Sequence, residues 1–193
     1  MQKFKYPITR EHLEQALQAF FTLTKLDEKD LFLSVKEEVY KNCPDNILQR
    51  DKRGELILYR IATKIPASEE DFLPHMYGEK WNIFSKKIKE IAREIKYKRK
   101  YKEQKKDELV RHFCSRFSVS VFEKLEDAIE ITRLLKNAKI VVEGRVNQEI
   151  HGPVYKKPSD SSSHKDWFPF KEVNELELFS KIVFQLLPKS INP

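Results

Sequence analysis

The chain has 193 residues, 40% hydrophobic and 35% charged, with 37 Lys+Arg against 30 Asp+Glu for a formal net charge of +7. That length suits one compact domain with an extension, and 13 Phe, 7 Tyr and 2 Trp supply enough core material to exclude a wholly disordered chain. No window nears a membrane-spanning apolar run, and Met1 to Pro7 lacks the apolar stretch of a secretory leader, so a cytoplasmic location with no membrane partner is expected.

The first predicted elements are two helices. Thr9 caps one on which Leu13, Leu17, Phe20 and Phe21 share a face, and Asp27 caps another that carries Leu31, Val35 and Val39. The second ends at Cys43, because Pro44 disfavours helical geometry in the residue before it. Residues 1–45 therefore read as an N-terminal helical hairpin whose apolar face is a candidate docking surface for a protein partner. Residues 46–193 read as an α+β domain with an inserted basic helix over 80–117.

Pro44 to Gly54 reads as a loop, and Leu56 to Thr63, rich in strand formers, as a buried strand. Arg60 then sits inside an apolar strand, where a guanidinium requires a partner, so pairing to a carboxylate is expected. Ser68 to Leu73 follows as a capped helical turn.

The charge is concentrated in what comes next. Residues 1–78 carry 12 basic and 13 acidic side chains, residues 79–117 carry 14 and 6, and residues 118–193 carry 11 and 11. Phe84, Ile88, Ile91 and Ile95 recur at helical spacing, and beyond them the apolar stripe fades into a run with seven cations: Lys96, Lys98, Arg99, Lys100, Lys102, Lys105 and Lys106. Cations bunched this closely repel one another, and phosphates that displace condensed counterions relieve that repulsion. Tyr97 and Tyr101, on one face of the same run, are placed to stack on bases. Nucleic acid is the expected partner of this helix. A solvated arm is the competing reading, since charge runs are commonly soluble surface.

Ser118 to Phe122 alternates as a strand, Glu126 to Asn137 reads as a helix, and Lys139 to Val146 as a further strand, with Val154 to Lys156 expected to pair with it as a hairpin. Pro158 to Ser163 reads as a polar loop. It delivers His164 and Trp167, which together suggest a lid over a pocket, against the competing reading that Trp167 and Phe168 plug the core while His164 faces water. The tail reads as a helix that hands over to a closing strand. The expected fold class is α+β, a small mostly antiparallel sheet with the N-terminal helical hairpin and the long basic helix. The order helix, turn, helix, ribbon over 108–157 also fits a winged helix, but Glu123, Glu126, Asp127 and Glu130 make its second helix acidic where phosphates would lie.

Leu58-Tyr59-Arg60, Ser120-Val121-Phe122 and Ser163-His164-Lys165-Asp166-Trp167 resemble segments of small bacterial proteins of unassigned activity that carry L-Y-R, S-V-F and S-H-x-x-W. The order of Arg60, Ser118 and Ser120, and Glu149 is also similar to the layout of ADP-ribosyltransferases. That resemblance implies NAD as cofactor, with Arg60 gripping its phosphates, the serines shaping the nicotinamide pocket and Glu149 stabilising the developing cation. It implies a toxin-like effector, and Asn147 departs from that family's pattern two residues before the Glu. On strand periodicity alone, Ser118 and Ser120 are outward-facing residues and Glu149 a loop carboxylate. Outside this resemblance no cofactor is implied. The histidines and the two cysteines share no metal-ligand spacing, so no metal is expected, and Cys43 and Cys114 read as reduced thiols.

Overall fold

The computed structural model describes residues 6, 8–11, 13–15, 18, 39, 41, 43–74, 108, 110–111, 113–156 and 163–186. Among these, seven strands form one sheet: β1 (Gln49–Arg50), β2 (Glu55–Ala62), β3 (Val119–Phe122), β4 (Ile140–Asn147), β5 (Val154–Lys156), β6 (His164–Trp167) and β7 (Lys181–Gln185). Their order is β1-β5-β6-β3-β2-β4-β7, and every neighbouring pair is antiparallel. Three short helices accompany them, α1 (Leu125–Leu134), α2 (Gln148–His151) and α3 (Glu175–Leu178), with 3-10 turns at Glu69–Phe72 and Ser115–Phe117.

The longest ladder joins β2 to β4 and runs from Glu55↔Asn147 to Ala62↔Ile140. Alternation along β2 puts Leu56, Leu58, Arg60 and Ala62 on one face and Ile57, Tyr59 and Ile61 on the other. The first face meets Val119, Val121, Val142, Val146 and Trp167 from the neighbouring strands, and Phe72 and Phe179 pack over them. Phe179 closes over Gly144 so tightly that a Cβ there would lie 2.7 Å from its ring. On the opposite face α1 covers Ile61, Phe122 and Val141 through its own wholly buried Ala128. This docking explains why the end of β2 nearest Ala62 is buried on both sides while Ile57, at the uncovered end, is 45% exposed. It also shows α1 lying on the sheet rather than standing free as the second helix of a winged helix would.

The antiparallel sheet and the α+β class match expectation, and β2, β3, β4, α1 and the tail's short helix followed by a strand fall close to their predicted places. Four expectations need correction. β5 does not pair with β4 as a hairpin, because α2 and the Gly152 turn carry it across the sheet to lie between β1 and β6. The segment after the Ser-rich loop is itself a strand, β6, because its polar side chains find partners in the interior. Ser118 and Ser120 are buried rather than outward-facing, since β3 is covered on both faces. Finally, Cys43 and Cys114 are joined in a disulfide, their Cα atoms 5.8 Å apart, because a turn before β1 and the residues leading into β3 meet in space although 71 positions separate them.

Of the expected amino-terminal hairpin, helical residues are described between 10 and 18 and at 39 and 41, with Leu13 and Val39 buried. Leu13 N donates to the Thr9 carbonyl at 3.1 Å, as a helix starting after Thr9 requires. Leu17, Phe20 and the second helix's cap and stripe through Val35 lie outside the described residues. So do residues 75–107, and with them the expected basic helix as far as 107. Among the described residues, no helix is long and apolar enough to cross a membrane.

Candidate functional site

Among the described residues, dense hydrogen bonding surrounds the two segments that flank residues 75–107 in the chain. One follows β2 and the other precedes β3, and β2 and β3 are adjacent strands. At the amino-terminal root, the Glu69–Phe72 turn is held by the Asp71 carboxylate. Asp71 Oδ1 accepts from Thr63 N at 2.7 Å and Thr63 Oγ1 at 2.8 Å, and Oδ2 from Ser68 N at 2.9 Å and Ser68 Oγ at 3.2 Å. Burial pushes this carboxyl's pKa up, but the hydrogen bonds from Ser68 and Thr63 outweigh it and leave the pKa below its ordinary value.

Arg60 joins this root to β3. Its Nε donates to the Asp71 carbonyl at 2.8 Å and its Nη1 to the Ser120 carbonyl at 2.5 Å. The expected carboxylate pairing is thus replaced by two backbone carbonyls, with the Asp71 charge nearby. Burial pushes the Arg60 pKa down to about 10 against the pull of that charge. With its donors turned onto backbone and 5% of its surface exposed, Arg60 acts here as a clamp between two chain segments.

The carboxyl-terminal root is held by side chains around Ser115–Phe117. Phe113 and Phe117 are buried and pack edge to face at 5.5 Å, and Cys114 carries the disulfide. Ser118 Oγ lies 2.6 Å from the Ser115 carbonyl oxygen and 2.7 Å from Asp166 Oδ1, two acceptors for one hydroxyl proton. Burial lowers the Arg116 pKa, opposed by the charge of Asp166.

A third cluster closes the far side of β3 and β6. Arg53 grips Asp51 with two bonds, Nε to Oδ1 at 2.9 Å and Nη2 to Oδ2 at 2.6 Å, and its Nη1 reaches Glu123 Oε1. Lys165 Nζ, on a side chain only 8% exposed, lies 3.3 Å from Asp51 Oδ2 and 3.2 Å from Glu123 Oε2. Hydrogen bonds from Arg53 are the main cause that holds both carboxyls below their ordinary range, with Lys165 adding to the effect. Two cations and two carboxylates make a neutral set, internally satisfied, so its chemistry is structural. Asp45 adds a smaller junction, accepting hydroxyls from Tyr6 at 3.0 Å and from Tyr155.

Against the sequence-predicted residues, Arg60 and Ser120 come together, and Ser118 stands two residues along the same chain segment. Glu149 does not join them. It is exposed on α2, beyond Asn147, which pairs with Glu55 at the opposite end of β2. Glu55 and Arg60 are five residue steps apart along β2, about 17 Å at the rise of an extended chain. His164 and Trp167 sit on one strand with opposite orientation: His164 stacks on Phe122 at 4.7 Å, while Trp167 has no exposed surface and its Nε1 donates to the His151 carbonyl at 3.1 Å. Trp167 is part of the core, as the competing reading had it. Lys96, Tyr97, Lys98, Arg99, Lys100, Tyr101, Lys102, Lys105 and Lys106 lie outside the described residues.

Among the described residues, no group of three or more His, Cys, Asp or Glu is arranged to hold a metal ion. Asp51, Lys165 and Asp166 were not predicted as buried; the signal available was a charged pair between a Ser-rich loop and two aromatic residues, which reads equally well as a surface turn. Compared with known proteins, the chain matches no family model, no curated protein and no solved structure.

Proposed function

We propose that this chain is a nucleic-acid-binding module that contacts the phosphate backbone through Lys96 to Lys106, without strong sequence preference. The observation that carries the reading is the distribution of charge. The excess sits between two adjacent strands of the sheet, 14 basic against 6 acidic residues over 79–117, while the flanking stretches are balanced to within one charge. Buried cations of the flanking scaffold are already engaged: Lys165 by two carboxylates, Arg60 by two carbonyls. The scaffold therefore holds no surplus of negative charge to neutralise the segment, and polyanion phosphates are the natural counter-charge. Tyr97 and Tyr101 supply ring faces on which bases stack irrespective of sequence. Asp71, before the segment, and Cys114, after it, are each anchored in the described scaffold.

Fluorescence anisotropy with labelled single-stranded and double-stranded oligonucleotides across a salt series tests this reading. If all seven cations meet phosphates, the log–log salt slope is about −5 on single strands and about −6 on duplex DNA, a loss in affinity between 50 and 200 mM salt of roughly 10³-fold on single strands and roughly 10⁴-fold on duplex. A slope near zero, or no binding at 50 mM salt, overturns it.

A further inference from the structure

The Cys43–Cys114 bond closes a stretch of chain that contains the entire basic run: it spans 71 positions, and Lys96 to Lys106 lie between its ends. Its two cysteines differ in burial. Cys43 is half-buried in the turn before β1, whereas Cys114 has no exposed surface. Each side also has support that does not depend on the bond. Near Cys43, Asp45 accepts from Tyr6 and Tyr155, and Leu48 is buried. Near Cys114, Phe113 and Phe117 are packed in the core and Ser118 bonds Asp166. The bond thus couples two segments that are separately anchored, so its loss leaves the sheet standing. In a reducing compartment such a bond is transient, and in an oxidising one it persists.

We propose that Cys43–Cys114 is a redox-sensitive tether: its reduction by a dithiol uncouples residues 39–48 from residues 108–117, loosens the carboxyl-terminal root of the basic segment and weakens nucleic-acid binding. The last link rests on the function proposed above. In the reaction, one thiolate of the dithiol attacks Cys43 Sγ, on the less buried of the two residues, and forms a mixed disulfide. The protein's S–S bond breaks, and Cys114 leaves as a thiolate that takes up a proton. The second thiol of the reagent then displaces Cys43, so the protein gains two electrons and two protons and the dithiol becomes a cyclic disulfide. Weaker binding follows because a segment with a free root has more conformational entropy to lose on docking.

The test uses the full chain treated with dithiothreitol under native conditions, with alkylation of the released thiols read by mass spectrometry, hydrogen exchange read by segment, and affinity for a single-stranded oligonucleotide read at fixed salt. The variant Cys43→Ser/Cys114→Ser represents the reduced state permanently. The expected result is alkylation of both cysteines in folded protein and exchange at 39–48 and 108–117 faster by at least about tenfold, under conditions where β2 and β4 stay protected. Affinity should fall several-fold on reduction, and the double variant should match reduced wild type and ignore the reagent. A bond that resists the dithiol until β2 and β4 also exchange, or exchange at 39–48 and 108–117 that stays the same after reduction, overturns the tether. Faster exchange with no oligonucleotide binding in either redox state supports the tether and refutes the nucleic-acid reading instead.

Discussion

Asp71 is the most heavily bonded side chain at the root of the basic segment, and its removal has a calculable cost. Asp71→Ala deletes acceptors for two backbone N–H groups and two hydroxyls, those of Thr63 and Ser68. Hydrogen bonds to a charged group contribute about 1.5–3 kcal/mol each, but they are not additive and water reaches part of this turn, so the expected loss is about 3 kcal/mol. For a chain of this length that is a fall of about 6–12 °C in Tm. Asp71→Asn keeps one acceptor oxygen but turns an amide N–H₂ toward donors, so it should lose about 2 kcal/mol or more. Urea unfolding followed by circular dichroism reads both values. The pH dependence has a definite sign. The folded pKa of Asp71 is lowered, so its contribution is complete above the unfolded value of 3.8 and fades as pH falls through the folded value beneath it. The gap between wild type and Asp71→Ala should therefore be full at pH 7 and narrow below about pH 4. A loss under about 0.5 kcal/mol at pH 7, or a gap that widens in acid, would refute the argument that this carboxylate holds the turn.

Other consequences are equally specific. Lys165→Met leaves Asp51 and Glu123 with Arg53 as their remaining cation in the cluster and should cost about 3 kcal/mol at pH 7 in the same assay, with the difference shrinking below about pH 4 because both carboxyls have lowered pKa values in the fold. Equal stability of variant and wild type would show that the cluster is solvated. Gly152 has φ +104°, and a Cβ there would lie 2.1 Å from the Phe168 carbonyl oxygen, so Gly152→Ala should lose about 3 kcal/mol or fail to fold, whereas Gly54→Ala, with no atom within 4 Å of the added carbon, should stay within about 0.5 kcal/mol. Thermal melts of the two variants side by side check this pair, and similar losses in both would contradict it.

How much of this fold was legible in the sequence depended on where each strand's partners lie. β2 and β4 carry Leu56, Leu58, Val142 and Val146 in runs of strand formers that announce themselves without context. The burial of Arg60 was legible for the same reason, since an apolar strand surrounds it; its partners were not, because the Asp71 and Ser120 carbonyls are backbone groups with no sequence signature. β6 escaped because His164-Lys165-Asp166-Trp167 reads as polar, and only Asp51 and Glu123, far away along the chain, make Lys165 an interior residue. β5 was assigned to the wrong neighbour because a local hairpin competes with a long-range pairing that only tertiary packing selects. The disulfide was missed because sequence separation says nothing of distance in space. At the candidate site, the charge run was legible as composition, and the two anchored roots that frame it became visible only in the fold.

The claim at the centre of this account is that Lys96 to Lys106 meet phosphates. The most direct measurement compares the salt dependence of oligonucleotide binding for the wild-type chain and for Lys98→Glu/Arg99→Glu/Lys102→Glu, with circular dichroism confirming that the variant retains its sheet. Loss of three phosphate contacts should make the slope shallower by about 2 on single strands and nearly 3 on duplex DNA, with affinity at 100 mM salt reduced by at least about tenfold. Binding with the same slope and affinity in the folded variant would contradict the account.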